Sequence, residues 1–194
     1  MKRTVLVTML SAMLLVTPAV FAQSNDSDHL NHGEIGAFFD FTRLANTNEN
    51  FFGAGGRIGF NVHPNIQIEA EGAYDWNKNF STSITDINGN TTIVTSKLRL
   101  VHGLFGPKFD IGHGAFRPFV TLKGGLLNFS TSTSISGTFN GIPHGDTNGV
   151  FYPAGGIEGF IGWFGVRFEA GDEIYFDNGA NHNFRFTAGP QFRF

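Results

Sequence analysis

Histidine, aspartate and serine are the residue types from which this chain would build a hydrolytic centre, because an imidazole oriented by a carboxylate activates a hydroxyl. His144 with Asp146, His182 with Asp177, and the serines from Ser130 to Ser136 lie in polar stretches. No spacing ties them into a triad, so no catalytic residue is expected. His29 and His32, beside Asp26, Asp28 and Glu34, are metal-ligand types, but they fall in a polar N-terminal run that reads as a solvated segment. Gly53-Ala-Gly-Gly56 lacks the third glycine and the strand-to-helix setting of a dinucleotide loop, and there is no HExxH, GxxxxGK or GxSxG. Zero cysteines exclude disulfides and thiolate metal sites. No metal and no cofactor is expected.

The elements that would position any site begin after a leader-like segment. Met1 to Ala22 has a basic start at Lys2 and Arg3, an apolar run from Val5 to Val16 and a small-residue end, the layout of a secretory signal peptide cleaved near Ala22. That run is shorter than the roughly 20 residues of a spanning helix. Residues 23–32 are expected to form a short flexible segment and residues 33–194 one domain. Removing Lys2 and Arg3 from the 13 basic residues leaves 11 against 16 acidic ones, a formal charge of −5 that argues against a nucleic-acid partner. No later stretch approaches a transmembrane helix, so a chain that crosses a membrane must do so as a closed barrel. The 26 glycines and 23 phenylalanines fit strands better than helices.

Eight strand candidates follow: Glu34 to Leu44, Phe51 to Val62, Asn65 to Trp76, Ile93 to Asp110, Ala115 to Phe129, Val150 to Ile161, Trp163 to Phe176 and Asn183 to Phe194. Each is about as long as, or longer than, the 9 to 11 residues that a tilted strand needs to cross hydrocarbon. The last alternates without a break: Phe184, Phe186, Ala188, Pro190, Phe192 and Phe194 oppose Asn183, Arg185, Thr187, Gly189, Gln191 and Arg193. A bare aromatic edge of this kind invites aggregation, and closure removes the edge. The connections after the second, fourth and sixth strands are tight, whereas those after the odd strands include long polar stretches such as Asn77 to Thr92 and Ser130 to Gly149. In an antiparallel barrel that sorting puts the turns at one rim and the loops at the other.

Alternation leaves open which face points inward, because a lipocalin-like carrier and a membrane barrel read alike with the faces exchanged. The nearly balanced charges of the polar face suit an interior of ion pairs. The expected barrel-interior charges are Arg57, Glu69, Glu71, Arg99, Arg117, Lys123, Glu158, Arg167, Glu169 and Arg185, and Lys97 shares their face by the same parity. Gly103 is expected inside with Gly36, Gly53, Gly55, Gly59, Gly125, Gly156, Gly171 and Gly189, as a narrow barrel requires. Tyr74, Trp76, Trp163, Phe164, Phe176, Phe192 and Phe194 gather near strand ends like an aromatic girdle. His102 and Asp172 are exceptions, falling on the outward parity, where a bulge or register slip would change their face.

The stretches Gly103-Leu-Phe-Gly-Pro-Lys-Phe109, Phe116 to Gly125, Ala154 to Glu158, Val166 to Tyr175 and Phe184 to Phe194 resemble the small outer-membrane β-barrel family of Gram-negative bacteria, the OmpA-like transmembrane barrel and its stand-alone porin-family relatives. The resemblance implies an all-β fold, an eight-stranded antiparallel up-and-down transmembrane barrel with short periplasmic turns and longer extracellular loops. It implies outer-membrane lipids and the barrel-assembly machinery as partners, with Phe186, Phe192 and Phe194 as the assembly signal, and a monomer in the cell outer membrane. The family's peptidoglycan-binding domain has no counterpart in this sequence, so the resemblance does not extend to cell-wall anchoring. The expected function is non-enzymatic, structural in the envelope or interacting through surface loops whose ligand the sequence does not name. The alternatives are a soluble exported ligand carrier and, less favoured, a barrel enzyme acting on lipid or peptide.

Overall fold

A computed structural model describes residues 32–45, 48–85, 91–112, 114–133, 147–177 and 179–194. The expected signal peptide and residues 23–31 lie outside them. The strands are β1 (Gly33–Leu44), β2 (Glu49–His63), β3 (Ile66–Thr85), β4 (Thr91–Asp110), β5 (Phe116–Thr133), β6 (Thr147–Ile161), β7 (Phe164–Phe176) and β8 (Ala180–Arg193). Each pairs antiparallel with its sequence neighbours, and β8 returns to β1, so the sheet is a closed barrel. Closure leaves no bare edge on the segment ending at Phe194, whose backbone N–H donates to Gly33 O at 3.0 Å while its carbonyl accepts from His32 and Gly33.

The alternation reaches its three-dimensional form in β8. Asn183, Arg185, Thr187, Gln191 and Arg193 are buried inside, while Phe184, Phe192 and Phe194 are exposed outside. Strand β4 does the reverse of what its polarity suggests. Leu98, Leu100, His102, Leu104 and Lys108 are buried in the lumen, whereas Lys97, Arg99 and Gly103 face outward. Directly paired residues of an antiparallel ladder share a face. The pairs Glu71↔Leu104 and Asp75↔Leu100 therefore force the even-numbered row of β4 inward beside the inward carboxylates of β3.

The polar stretch Asn77 to Thr92 also differs from expectation, since most of it is strand. Beyond a bulge between Asp75 and Lys78, β3 and β4 remain paired out to Thr85↔Thr91. This extension carries no hydrophobic alternation to reveal it as strand. The β1–β2 and β7–β8 connections span only 45–48 and 177–179. The long connection, 134–146, lies outside the described residues.

Candidate functional site

The lumen is filled in two zones. On the loop side, Leu44, Phe51, Leu98, Leu100, Leu127 and Phe129 pack with Val150, Tyr152 and Tyr175 into an apolar plug. Phe129 and Tyr175 meet with ring centroids 5.2 Å apart. Below the plug lies a lattice of buried ions. Lys123 Nζ donates to Glu71 at 2.5 Å and Glu169 at 3.2 Å, and lies 2.8 Å from Glu69. Arg167 bridges Glu69, at 2.8 Å, and Glu169. Arg57 donates to Glu169 at 3.3 Å and to Thr187 Oγ1 at 2.9 Å. Arg185 holds Asp40 and Glu71, each at 2.6 Å. Nearer the turns, Lys108 donates to Glu34 and Glu158, both at 2.9 Å.

Pairing is what makes such an interior tolerable, because an isolated buried ion loses several kcal/mol of hydration. Among the described residues the buried set holds nine carboxylates against seven Lys and Arg residues. His102 stands where the cations run short: its Nδ1 lies 2.9 Å from Glu173 Oε2 and its Nε2 lies 3.2 Å from Asp75 Oδ2. The guanidinium groups also stack on inward rings, Arg57 at 4.3 Å over Phe38 and Arg167 at 4.2 Å over Phe119. Those rings lie over glycines: a Cβ on Gly55 would come within 2.4 Å of the Phe38 ring, and one on Gly156 within 2.4 Å of the Phe119 ring. Glycine at both positions is therefore the space that seats an aromatic ring.

All but one of the expected interior charges lie in this lattice or at its turn-side end. Arg57, Glu69, Glu71, Lys123, Glu158, Arg167, Glu169 and Arg185 are buried in it, and Arg117 donates to Gly114 O at 3.0 Å near the turns. Arg99 is the exception and points outward. Lys108 and Asp110 were missed by the parity reading that placed Lys97 and Arg99 inside. Their proximity to paired Glu34 and Glu158 becomes visible only when β1, β4 and β6 are brought together. Two groups have metal-ligand atoms within 4.8 Å of one another: Asp40, Asp75 and His102, and Glu69, Glu71 and Glu169. In the first group Asp40 is paired with Arg185, and in the second Lys123 contacts all three glutamates.

The outer wall is apolar along the outward row of each strand. Ile35, Phe39, Phe52, Phe60, Phe105 and Leu122 are among its exposed side chains. At the turn-side edge Trp163 stacks on Phe192 at 5.5 Å, and Phe164 meets the same Phe192 ring edge-on at 5.6 Å. Phe192 and Phe194 are exposed, and Phe186 faces outward half-buried. The loop-side edge instead carries Arg43, Lys97 and Arg99. Asp172 stays on the outward face, where His182 Nδ1 lies 2.6 Å from its Oδ2. His182 thus finds Asp172 rather than Asp177, and no hydroxyl joins the pair among the described residues. His144 and Asp146 lie outside the described residues. His32 is exposed while Glu34 is buried on Lys108, so the structure does not assemble these two into a common ligand set.

Solved structures of eight-stranded barrels match this architecture. Neisserial surface protein A superposes with a TM-score of 0.50 at 11% identity, over 84% of this chain and 96% of that one. The chain has the fold of the small outer-membrane barrels. Two further matches are the N-terminal β-barrel domain of Pseudomonas aeruginosa OprF, with TM-score 0.49, 13% identity and coverage of 85% and 98%, and Ail, the attachment invasion locus protein of Yersinia pestis, with TM-score 0.48, 12% identity and coverage of 84% and 97%. No family model matches the sequence, and no curated protein does.

Proposed function

We propose that this chain is an integral outer-membrane barrel of a Gram-negative bacterium, exported after cleavage near Ala22, monomeric and non-enzymatic, with a structural role in the envelope and a surface-facing interaction role. The observation that carries the reading is the height of the apolar wall. From Ile35 to Arg43 on β1, and from Phe164 to Asp172 on β7, the outward row rises eight residues before a charge appears. For strands of 3.4 Å rise tilted by about 40°, that is about 21 Å, and the ten residues from Phe109 up to Arg99 give about 26 Å. An outer-membrane barrel's apolar band is about 25 Å tall. A soluble carrier would place its apolar face inside around a ligand; here the charged face is inside and packed.

Fractionation tests this reading. The protein is expected to remain in the membrane pellet and to migrate faster on unheated gels, whereas release without detergent would overturn the proposal. The plug and lattice also support a closed interior, so conductance in planar bilayers is expected to stay far below that of an open porin.

The β3–β4 hairpin supports the interaction role, because it continues beyond the last β2–β3 pair, Gly53↔Asp75, so that among the described residues a stretch of β3 pairs with β4 alone. An unpaired strand edge is a place for an extended segment to add. For assembly, the outward placement of Phe186, Phe192 and Phe194 supports recognition by the barrel-assembly machinery. Phe194→Ala is expected to lower the inserted fraction in cells, and normal insertion of that variant would remove the assembly role.

A further inference from the structure

Two cations of the lumen stand outside its ion pairing. Of the buried Lys and Arg residues, Arg57, Lys108, Lys123, Arg167 and Arg185 each have a carboxylate partner, whereas Arg117 and Arg193 have none among the described residues. Register alone would have paired them, since Arg117 stands directly across the ladder from Glu158 and Arg193 from Glu34. Both carboxylates turn instead to Lys108 at 2.9 Å, and Asp110 joins them at 3.4 Å. One lysine thus gathers the three buried carboxylates of the turn-side end, and the two arginines are left facing the mouth of the barrel.

Each guanidinium is held in place all the same. Arg117 Nε donates to Gly114 O at 3.0 Å and Arg193 Nε donates to Gly162 O at 2.6 Å, so each fork is tied by its base to a turn. Both lie over the ring of Phe160, at 5.3 Å and 4.7 Å from its centroid, which puts them within about 10 Å of each other. The ring in turn is seated on Gly165, where a Cβ would come within 2.5 Å of it. Arg117 and Arg193 are each only 6% exposed, yet none of their nitrogens is sealed away without a partner, as Arg167 Nε is. The terminal nitrogens of both forks therefore open on the mouth with no acceptor among the described residues. Like charges held side by side repel, and two fixed guanidinium forks are an arrangement that takes an oxyanion. Donors from two forks exceed what the two oxygens of one carboxylate accept and suit the acceptor oxygens of a phosphate group.

We propose that Arg117 and Arg193 form a phosphate-binding site at the turn-side mouth of the barrel. Under the membrane-barrel reading this mouth opens to the periplasm, but the site itself depends only on the closed barrel. Titration of the protein in detergent micelles with inorganic phosphate tests it, read by NMR on the arginine Nε–Hε signals, with those of the two residues assigned by Arg117→Lys and Arg193→Lys. The Arg117 and Arg193 signals are expected to shift together and saturate while the Arg185 signal stays in place. Acetate or chloride at the same ionic strength is expected to give no saturating shift. Arg117→Gln and Arg193→Gln are each expected to weaken phosphate binding about tenfold through the loss of charge-assisted hydrogen bonds, and Arg99→Gln on the outer wall to leave it unchanged. Dihexanoylphosphatidylglycerol offers the lipid form of the same chemistry: competition with phosphate assigns the site to headgroups, and no competition assigns it to soluble phosphates. Shifts that do not saturate, that acetate reproduces, or that survive the combined Arg117→Gln and Arg193→Gln changes would overturn the site. The heat-dependent gel shift confirms that each variant is folded, and where a variant is not, the selectivity of the wild-type protein for phosphate over acetate decides. A barrel that binds phosphate but is released from cells without detergent keeps this site and loses the membrane reading.

Discussion

The loop-side lumen and the lumen below it fill the same narrow space by opposite means. Above, leucines, phenylalanines and tyrosines pack by dispersion; below, carboxylates and cations neutralise one another. The change occurs within one inward row of β4, which runs from Leu98 and Leu100 through His102 to Lys108. The difference teaches that an inward position in this barrel is defined by close packing rather than by polarity. It also separates two kinds of vulnerability. Apolar packing loses energy in proportion to the volume removed, while the lattice loses it when a single charge is left alone.

The largest expected effect is therefore in the lattice. Arg185→Ala leaves Asp40 and Glu71 without their guanidinium and is expected to cost about 3 to 5 kcal/mol, read as a lower urea midpoint for unfolding from lipid vesicles. A smaller shift than that of any plug variant would break the contrast. Phe129→Ala, which opens a cavity in the plug, is expected to cost about 3 kcal/mol by the same titration with little change in slope. A methyl group at Gly156 tests where the zones are tight: Gly156→Ala is expected to cost about 1 to 3 kcal/mol, because its Cβ would fall 2.2 Å from Phe168 O and 2.4 Å from the Phe119 ring. Combining it with Phe119→Leu should recover part of that loss, and strict additivity of the two changes would show that the ring is not the obstacle. The smallest effect is expected for Arg99→Gln, because Arg99 faces outward. An unchanged midpoint would sharpen the distinction between wall and lumen, whereas a shift approaching that of Arg185→Ala would reverse the assignment of β4.

Much of this architecture was legible along the chain. The uninterrupted alternation of Asn183 to Phe194, the eight strand-length segments and the stock of nearly balanced charges implied a closed barrel with a polar and an apolar face. The polar β3–β4 extension was not legible, because a ladder of Ser, Thr and Asn resembles a loop in sequence. Nor was the partner of His182: Asp177 is closer in sequence, but the β7–β8 register brings Asp172 beside it.

Sequence by itself determined that each strand has two chemically distinct faces, since side-chain direction alternates with a period of two wherever the backbone is extended. Only the tertiary structure decided which face of β4 looks inward, where Arg99 lies, and that His102 joins Asp75 to Glu173. The physical reason is that periodicity is local, whereas register is a property of paired strands. Once Asp75 stands opposite Leu100, every other residue of that part of β4 has its side chosen.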